Sequence, residues 1–345
     1  MEENPRVFFT GPAGTGKTVL ALETARRAAS AGKSVLLVCY NRLLGRWLSD
    51  HPLASNGQVT AGTLHQYLTA IAGIKVPEGA DDSFWKTGLP DAAMSRLMDG
   101  HRDAGRFDIV IADEVQDLLH PSYLDVLDLV LKGGLEGGTW RMFGDFERQM
   151  LYGQDRDQAE DLIRKRCGEF ARGGLRVNCR NTPRVATLSY LLGRLAPNYS
   201  RILRPDDQIE PTISYYATPS QQRKELAKTL ERLFKESYSG DDIVVLSPNA
   251  GSRCAAAGVT ENPWSDQFAP FEAAVTGQIR YTTIQRFKGL DSPAIVVTDI
   301  EHVDGDLFSS LFYVATTRAL ERLCIIVHET AKPGIIQSLL GGKQH

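Results

Sequence analysis

The sequence predicts an α/β protein with mainly parallel sheets, and three observations carry that reading. A short run of β-formers, Arg6 to Thr10, passes through a glycine-rich turn into an apolar-periodic stretch, Val19 to Ala29, in the order strand, loop, helix. The alternation repeats at once, with a strand at Ser34 to Tyr40 and a helix at Asn41 to Leu48. A chain of 345 residues is also long enough for two substantial cores, which implies two domains.

Composition narrows the class. The chain is 42% hydrophobic and 23% charged, as soluble globular proteins are. A net charge of −3 excludes a basic nucleic-acid coat, so any nucleic acid must be held by a local groove. The five cysteines, Cys39, Cys167, Cys179, Cys254 and Cys324, show no zinc-ligand spacing and read as reduced thiols of a cytoplasmic protein. The opening MEENPR lacks the pattern of a signal peptide, and no apolar run reaches the roughly 18 residues of a membrane span.

The glycine-rich turn is the most informative stretch. Gly11, Pro12, Ala13, Gly14, Thr15, Gly16, Lys17, Thr18 and Val19 have the composition of a phosphate-binding loop. Glycines let the backbone fold back so that its N–H groups face phosphates at the positive end of the next helix. Lys17 offers a compact charge to the terminal phosphates, and the Thr18 hydroxyl is a ligand for Mg²⁺. A turn that spells this pattern by accident is the competing reading, and the flanking strand and helix weigh against it.

Further along, Tyr40, Asn41 and Arg42 should emerge at the carboxyl end of their strand, where ligands of parallel sheets sit. Thr63 and His65 follow another short β-like run toward the same edge, although a single histidine there more often packs or caps. Gly73 to Pro90 reads as loop, inside a small insertion spanning about 66–106 with a helix near Asp91 to His101. The run FDIVIADEVQD, Phe107 to Asp117, then ends in two adjacent carboxylates. Asp113 would hold Mg²⁺ and Glu114 would act as general base on the attacking water; a plain helix cap is the alternative. A strand at Trp140 to Phe143 leads into GDFERQMLYG, where Asp145 and Gln149 are candidate sensors of a terminal phosphate.

These stretches have a family likeness. FFTGPAGTGKT, GTLHQYL, IADEVQD, GDFERQMLY, LRVNCRNT, TTIQRFKGLD and YVATTRA resemble, in order, the motifs of superfamily 1 helicases of the UvrD/Rep type. The resemblance implies two RecA-like domains, 1–170 and 171–345, with ATP at their seam and Mg²⁺ bound. It implies that Arg180 and Arg318 reach the γ-phosphate as arginine fingers, and that Gln149 contacts that phosphate or its water. Gly289 and Asp291 match positions lining the nucleotide. Tyr40, Thr63, His65, Tyr152 and Thr283 would meet single-stranded DNA or RNA.

Departures from the family pattern shape the functional expectation. Only ten residues precede Gly11, leaving no room for the usual adenine-reading glutamine, and Cys179 replaces the tyrosine that stacks on the base. Weak base selectivity follows. Arg148 stands where the third motif carries glutamine, with Gln149 one place later; Gln154 replaces a stacking tryptophan and Gln285 a histidine. The span 249–278 is the sole remnant of the large insertion such enzymes carry, and reads as a solvated connection. Arg164 to Arg166, Arg223 and Lys224 read as solvated helix faces.

The expected activity is therefore a nucleic-acid-dependent ATPase that translocates on or remodels a single strand. The alternative is an ATP-gated regulatory subunit that loads a nuclease partner, as in nuclease-coupled or phage-defence modules. A metabolic kinase leaves Arg180, Lys288 and Arg318 unexplained.

Overall fold

The computed structural model describes residues 4–146, 156–193, 199–259, 263, 264, 266–303 and 306–341; at 156–159, 306–308 and 341 it describes the backbone only. Two compact units emerge, one of Met1–Pro12 with Gly16–Leu175, the other of Ala13–Thr15 with Arg176–His345. Both are α/β units built on mainly parallel sheets.

The first unit is built on six parallel strands: β1 (Arg6–Thr10), β2 (Val35–Cys39), β3 (Val59–Thr63), β4 (Ile109–Ala112), β5 (Trp140–Gly144) and β6 (Ala171–Gly174). Their order is β3-β2-β4-β5-β1-β6. Every residue of β2 and of β4 is buried, as expected of parallel strands covered on both faces. β6 lies beyond the expected boundary at residue 170, yet it is hydrogen-bonded to β1 and so belongs to the first sheet. The core gathers Phe8, Phe107, Tyr123 and Trp140, whose indole N–H donates to the Leu135 carbonyl at 2.8 Å. Truncating Trp140 would cost about 3–5 kcal/mol.

Helix ends in this unit follow local chemistry. The Asn41 side chain accepts from the Leu43 and Leu44 amides and starts helix Arg42–Asp50. Thr63 and Gln66 form a reciprocal capping box at the start of helix Leu64–Ala72.

The expected loop 73–90 is partly helical. A π-helical turn, Phe84–Gly88, runs into helix Leu89–Met98. Its wider turn accommodates Pro90, which has no N–H to give to a regular ladder. Asp81 caps the Phe84 amide at 2.9 Å, and Phe84 and Trp85 pack on the core.

The second unit holds a short parallel pair, β7 (Val177–Asn178) with β8 (Arg201–Ile202). Its main sheet contains β9 (Thr212–Tyr216), β10 (Ile243–Ser247), β11 (Phe268–Pro270), β12 (Ile279–Thr283), β13 (Ser292–Ile300) and β14 (Ala319–His328). All recorded pairings are parallel, in the order β11-β12-β10-β13-β14-β9. Helix Pro219–Lys235, capped by Thr218, buries Leu226, Leu230 and Leu233.

The span 249–278 is more than a solvated connection. It supplies strand β11 and buries Cys254, Ala256, Val259 and Trp264 in the second core. The Trp264 ring lies 5.4 Å from that of Phe234. An alanine- and glycine-rich stretch does not reveal such long-range burial.

Candidate active site

The phosphate loop leaves β1 and turns through Gly14 and Gly16, at φ +79° and +82°. Side chains other than hydrogen are disfavoured in that left-handed region, which explains the glycines. Gly16 is the cap of helix Lys17–Ser30, whose first amides therefore face the loop. The Lys17 ammonium is buried and donates to the Gly11 and Pro12 carbonyls at 2.8 and 3.0 Å.

β4 and β5 bring acidic groups to the same carboxyl edge. The Thr18 hydroxyl donates to Asp113 Oδ2 at 2.6 Å, joining residues 95 positions apart. Asp113 is fully buried, and burial together with the neighbouring Glu114 charge raises its pKa, with the Thr18 hydrogen bond and Lys17 opposing. A hydroxyl and a carboxylate in contact are hard oxygen donors of the kind Mg²⁺ takes, and Mg²⁺ commonly completes its shell with phosphate oxygens and water. Among the described residues no cluster of three or more His, Cys, Asp or Glu forms a ready metal cage.

Glu114 adopts φ +50°, a left-handed conformation that costs a glutamate of order 1–3 kcal/mol. Gln116 braces it. Its amide donates to Glu114 Oε2 at 2.5 Å, and its carbonyl oxygen accepts from the Asp145 amide at 3.2 Å. One side chain thus links the carboxylate to the end of β5. Gln116 was not singled out from the sequence, although it lies two places beyond Glu114. Asp145 itself is buried. Gln149, Tyr152, Arg148 and Gln154 lie outside the described residues.

The residues expected at the nucleic-acid edge of this unit are committed to local structure. Thr63 is buried in its capping box. His65 Nε2 lies 2.7 Å from the Tyr123 hydroxyl, which donates to the Trp85 carbonyl at 3.0 Å. Tyr40, Trp85 and Tyr123 all meet the imidazole edge-on, at 5.0, 5.2 and 5.4 Å. Burial lowers the His65 pKa to about 4, so the ring is neutral near pH 7.

In the second unit the two arginines share one scaffold. Asn178 accepts from the Arg180 and Asn181 amides at 2.9 and 3.0 Å and donates to Asn181 Oδ1 at 2.9 Å. Asn181 in turn donates to the Thr317 and Ala319 carbonyls at 3.2 and 2.6 Å, on either side of Arg318. Neither asparagine was recognised from the sequence, since their role is visible only once the two turns meet. Arg180 pairs with Asp291 at 3.0 Å. Arg318 is buried, donating to the Val314 carbonyl at 2.9 Å and to the Leu290 carbonyl at 3.4 Å. Gly289, beside them, has φ +90°. The Thr283 hydroxyl accepts from the Arg286 amide at 3.3 Å.

Among the described residues no helix is long and apolar enough to cross a membrane. Residues 278–326 match the UvrD-like helicase C-terminal domain family. A curated relative, the arsenical pump-driving ATPase of Escherichia coli, is 32% identical over 129 residues, covering 33% of this chain and 20% of that protein. Among solved structures, the arterivirus nonstructural protein 10 helicase aligns at 14% identity and a TM-score of 0.42, over 93% of this chain and 59% of that one. The C-terminal domain of a possible DNA helicase from Lactobacillus plantarum aligns at 13% identity and a TM-score of 0.35, over 46% of this chain and 91% of that one. The chain thus spans a fifth of the curated relative it matches. With its match at 278–326 in the second unit, the chain resembles the superfamily 1 helicases of the UvrD/Rep type.

Proposed function

We propose that this chain is a nucleic-acid-dependent ATPase of the superfamily 1 helicase type, translocating on or remodelling single-stranded DNA or RNA. The observation that carries the reading is the joining of Thr18 to Asp113 beside Lys17 and Glu114 at one sheet edge. The loop amides and Lys17 bind the phosphates; Lys17 can exchange its bonds to Gly11 and Pro12 for phosphate oxygens. Thr18 and Asp113 would hold Mg²⁺, which would neutralise charge developing on the phosphates. Glu114 takes a proton from the attacking water, its carboxylate aimed by Gln116.

Arg180 and Arg318 add positive charge at the γ-phosphate. To do so, Arg180 must release Asp291, and Arg318 must leave the Val314 and Leu290 carbonyls. Hydrolysis is therefore slow until a ligand rearranges these groups, which gives nucleic acid a point at which to stimulate it.

The test is steady-state ATP hydrolysis with and without single-stranded DNA and RNA, alongside Glu114→Gln. Stimulation by one polymer, lost in the variant, is the expected result. A rate unchanged by Glu114→Gln would overturn the mechanism. A Glu114-dependent rate that neither polymer changes would overturn the nucleic-acid coupling and direct attention to a protein partner.

A further inference from the structure

In the second unit, the segment after β8 ties together the two stretches that carry Arg180 and Arg318. β8 pairs with β7, Val177 beside Arg201 and Asn178 beside Ile202, and the Leu203 amide then donates to the Asn178 carbonyl at 2.8 Å. The chain continues as LRPDDQIE, residues 203–210. Its four charged side chains all find partners on neighbouring elements. Asp206, at 2.9 Å, and Glu210 pair with Arg184 of helix Pro183–Gly193, the helix that follows the Arg180 turn. Arg204 pairs with Glu321 at 2.9 Å and Asp207 with Arg322, both on β14 just beyond Arg318. Exposed pairs of this kind add little stability singly.

Arg204 does more than close an ion pair. Its Nη1 donates to the Arg180 main-chain carbonyl at 3.2 Å while its Nη2 donates to Glu321 Oε1 at 2.9 Å. A guanidinium presents its donors in a rigid plane, so one side chain sets the spacing between the Arg180 turn and β14. Glu321 is itself held, because its Oε2 accepts from the Tyr238 hydroxyl at 2.9 Å. The neighbouring Arg322 guanidinium lies 5.7 Å from the Tyr238 ring and donates to Glu236 Oε2 at 2.6 Å. The Thr182 amide adds a second tie between the turn and β14, donating to the Leu320 carbonyl at 3.1 Å. Both main-chain polar groups of Arg180 are thus engaged, its N–H by Asn178 and its carbonyl by Arg204. The backbone is fixed, whereas the guanidinium rests on Asp291, whose side chain is 42% exposed, and can exchange that partner for another anion.

We propose that Arg204 is a positioning residue for Arg180, fixing the backbone from which that guanidinium turns toward a phosphate. The inference rests on the proposed ATPase activity. A charged group must meet the reacting phosphate within a fraction of an ångström, and a displacement of about 1 Å can cost on the order of 10²-fold in rate. Loss of one of the two main-chain anchors should therefore be felt in turnover more than in folding.

Steady-state ATP hydrolysis by the whole chain tests this, read beside the urea midpoint of each variant. Arg204→Met should lower kcat about ten-fold and change KM by less than about two-fold. Arg184→Met removes two ion pairs of the same strap while leaving Arg204 in place, and should keep kcat within about two-fold even where it lowers the midpoint as far. In an Arg180→Ala background, Arg204→Met should lower kcat no further, since no guanidinium is left to aim. The same loss in both backgrounds, or an equal fall in kcat for Arg184→Met, would reduce Arg204 to an anchor of the strap and leave the ATPase reading intact. A kcat indifferent to Arg180→Ala would instead overturn that arginine's part in the proposed function, and the positioning role with it. If Arg204→Met does not fold, Arg204→Lys, which keeps the charge and loses the fork, carries the same comparison.

Discussion

Glu114 and Asp299 make an instructive pair. Each is a buried carboxylate with left-handed backbone near the carboxyl end of a buried strand, one in each unit. Around Asp299, three donors from Ser247, Gln222 and Ala255 converge, and the charge serves as a staple. Around Glu114, a second buried carboxylate stands next door, with its acidity weakened by burial and by the shared negative charge. Converging donors turn a buried carboxylate into structure. Crowded carboxylates beside a lysine and a hydroxyl instead hold negative charge ready for a cation and a water.

The predictions test that contrast. The largest effect belongs to Glu114→Gln, which should lower the ATP turnover number by about 10²–10⁴-fold while nucleotide binding, read by a fluorescent ATP analogue, persists. Asp299→Ala should leave buried donors without an acceptor and cost about 2–4 kcal/mol in urea unfolding. If instead it destabilised no more than a surface substitution, the staple would be disproved.

His65 extends the contrast to a half-buried imidazole without backbone strain. Its folded pKa is lowered from 6.5 to about 4, so the unfolded chain takes up the proton first. Stability should therefore be intact above pH 6.5 and fall as pH drops toward 4, by on the order of 3 kcal/mol. His65→Gln should flatten that acid limb of the stability curve; an unchanged slope would contradict the burial argument.

Gln116→Ala should lower kcat about ten-fold and change KM by less than about two-fold, because the carboxylate is misaimed while the phosphate loop is untouched. Matching losses in kcat and in unfolding midpoint would reduce Gln116 to a packing residue. The smallest stability effect is expected for Asp291→Asn. Its side chain is 42% exposed and that of Arg180 17%, so loss of the pair should move stability by no more than about 1 kcal/mol.

Much of this architecture was legible in the residues. The bounds of β1 coincide with the expected strand, and the helix at Arg42–Asp50 starts after its capping asparagine. Such features depend on neighbours within a few positions, which sequence pattern reads well. The π turn at Phe84–Gly88 and the burial of Trp264 were missed because both depend on contacts with distant elements. Gln116, Asn178 and Asn181 lie inside the IADEVQD and LRVNCRNT stretches but were given no role for the same reason: what a polar side chain within a motif does depends on partners that only folding brings to it.

The sequence by itself determined the alternation of strands and helices and the phosphate loop, since glycine freedom, helix caps and apolar runs act over short range. Only the tertiary structure decided that Thr18 meets Asp113, that Gln116 spans from Glu114 to the end of β5, and that Arg180 rests on Asp291. It also decided that Thr63 and His65 spend their polar atoms on a helix cap and an aromatic cluster. The physical reason is that hydrogen bonds and ion pairs form wherever folding brings partners within about 3 Å, whatever their separation along the chain.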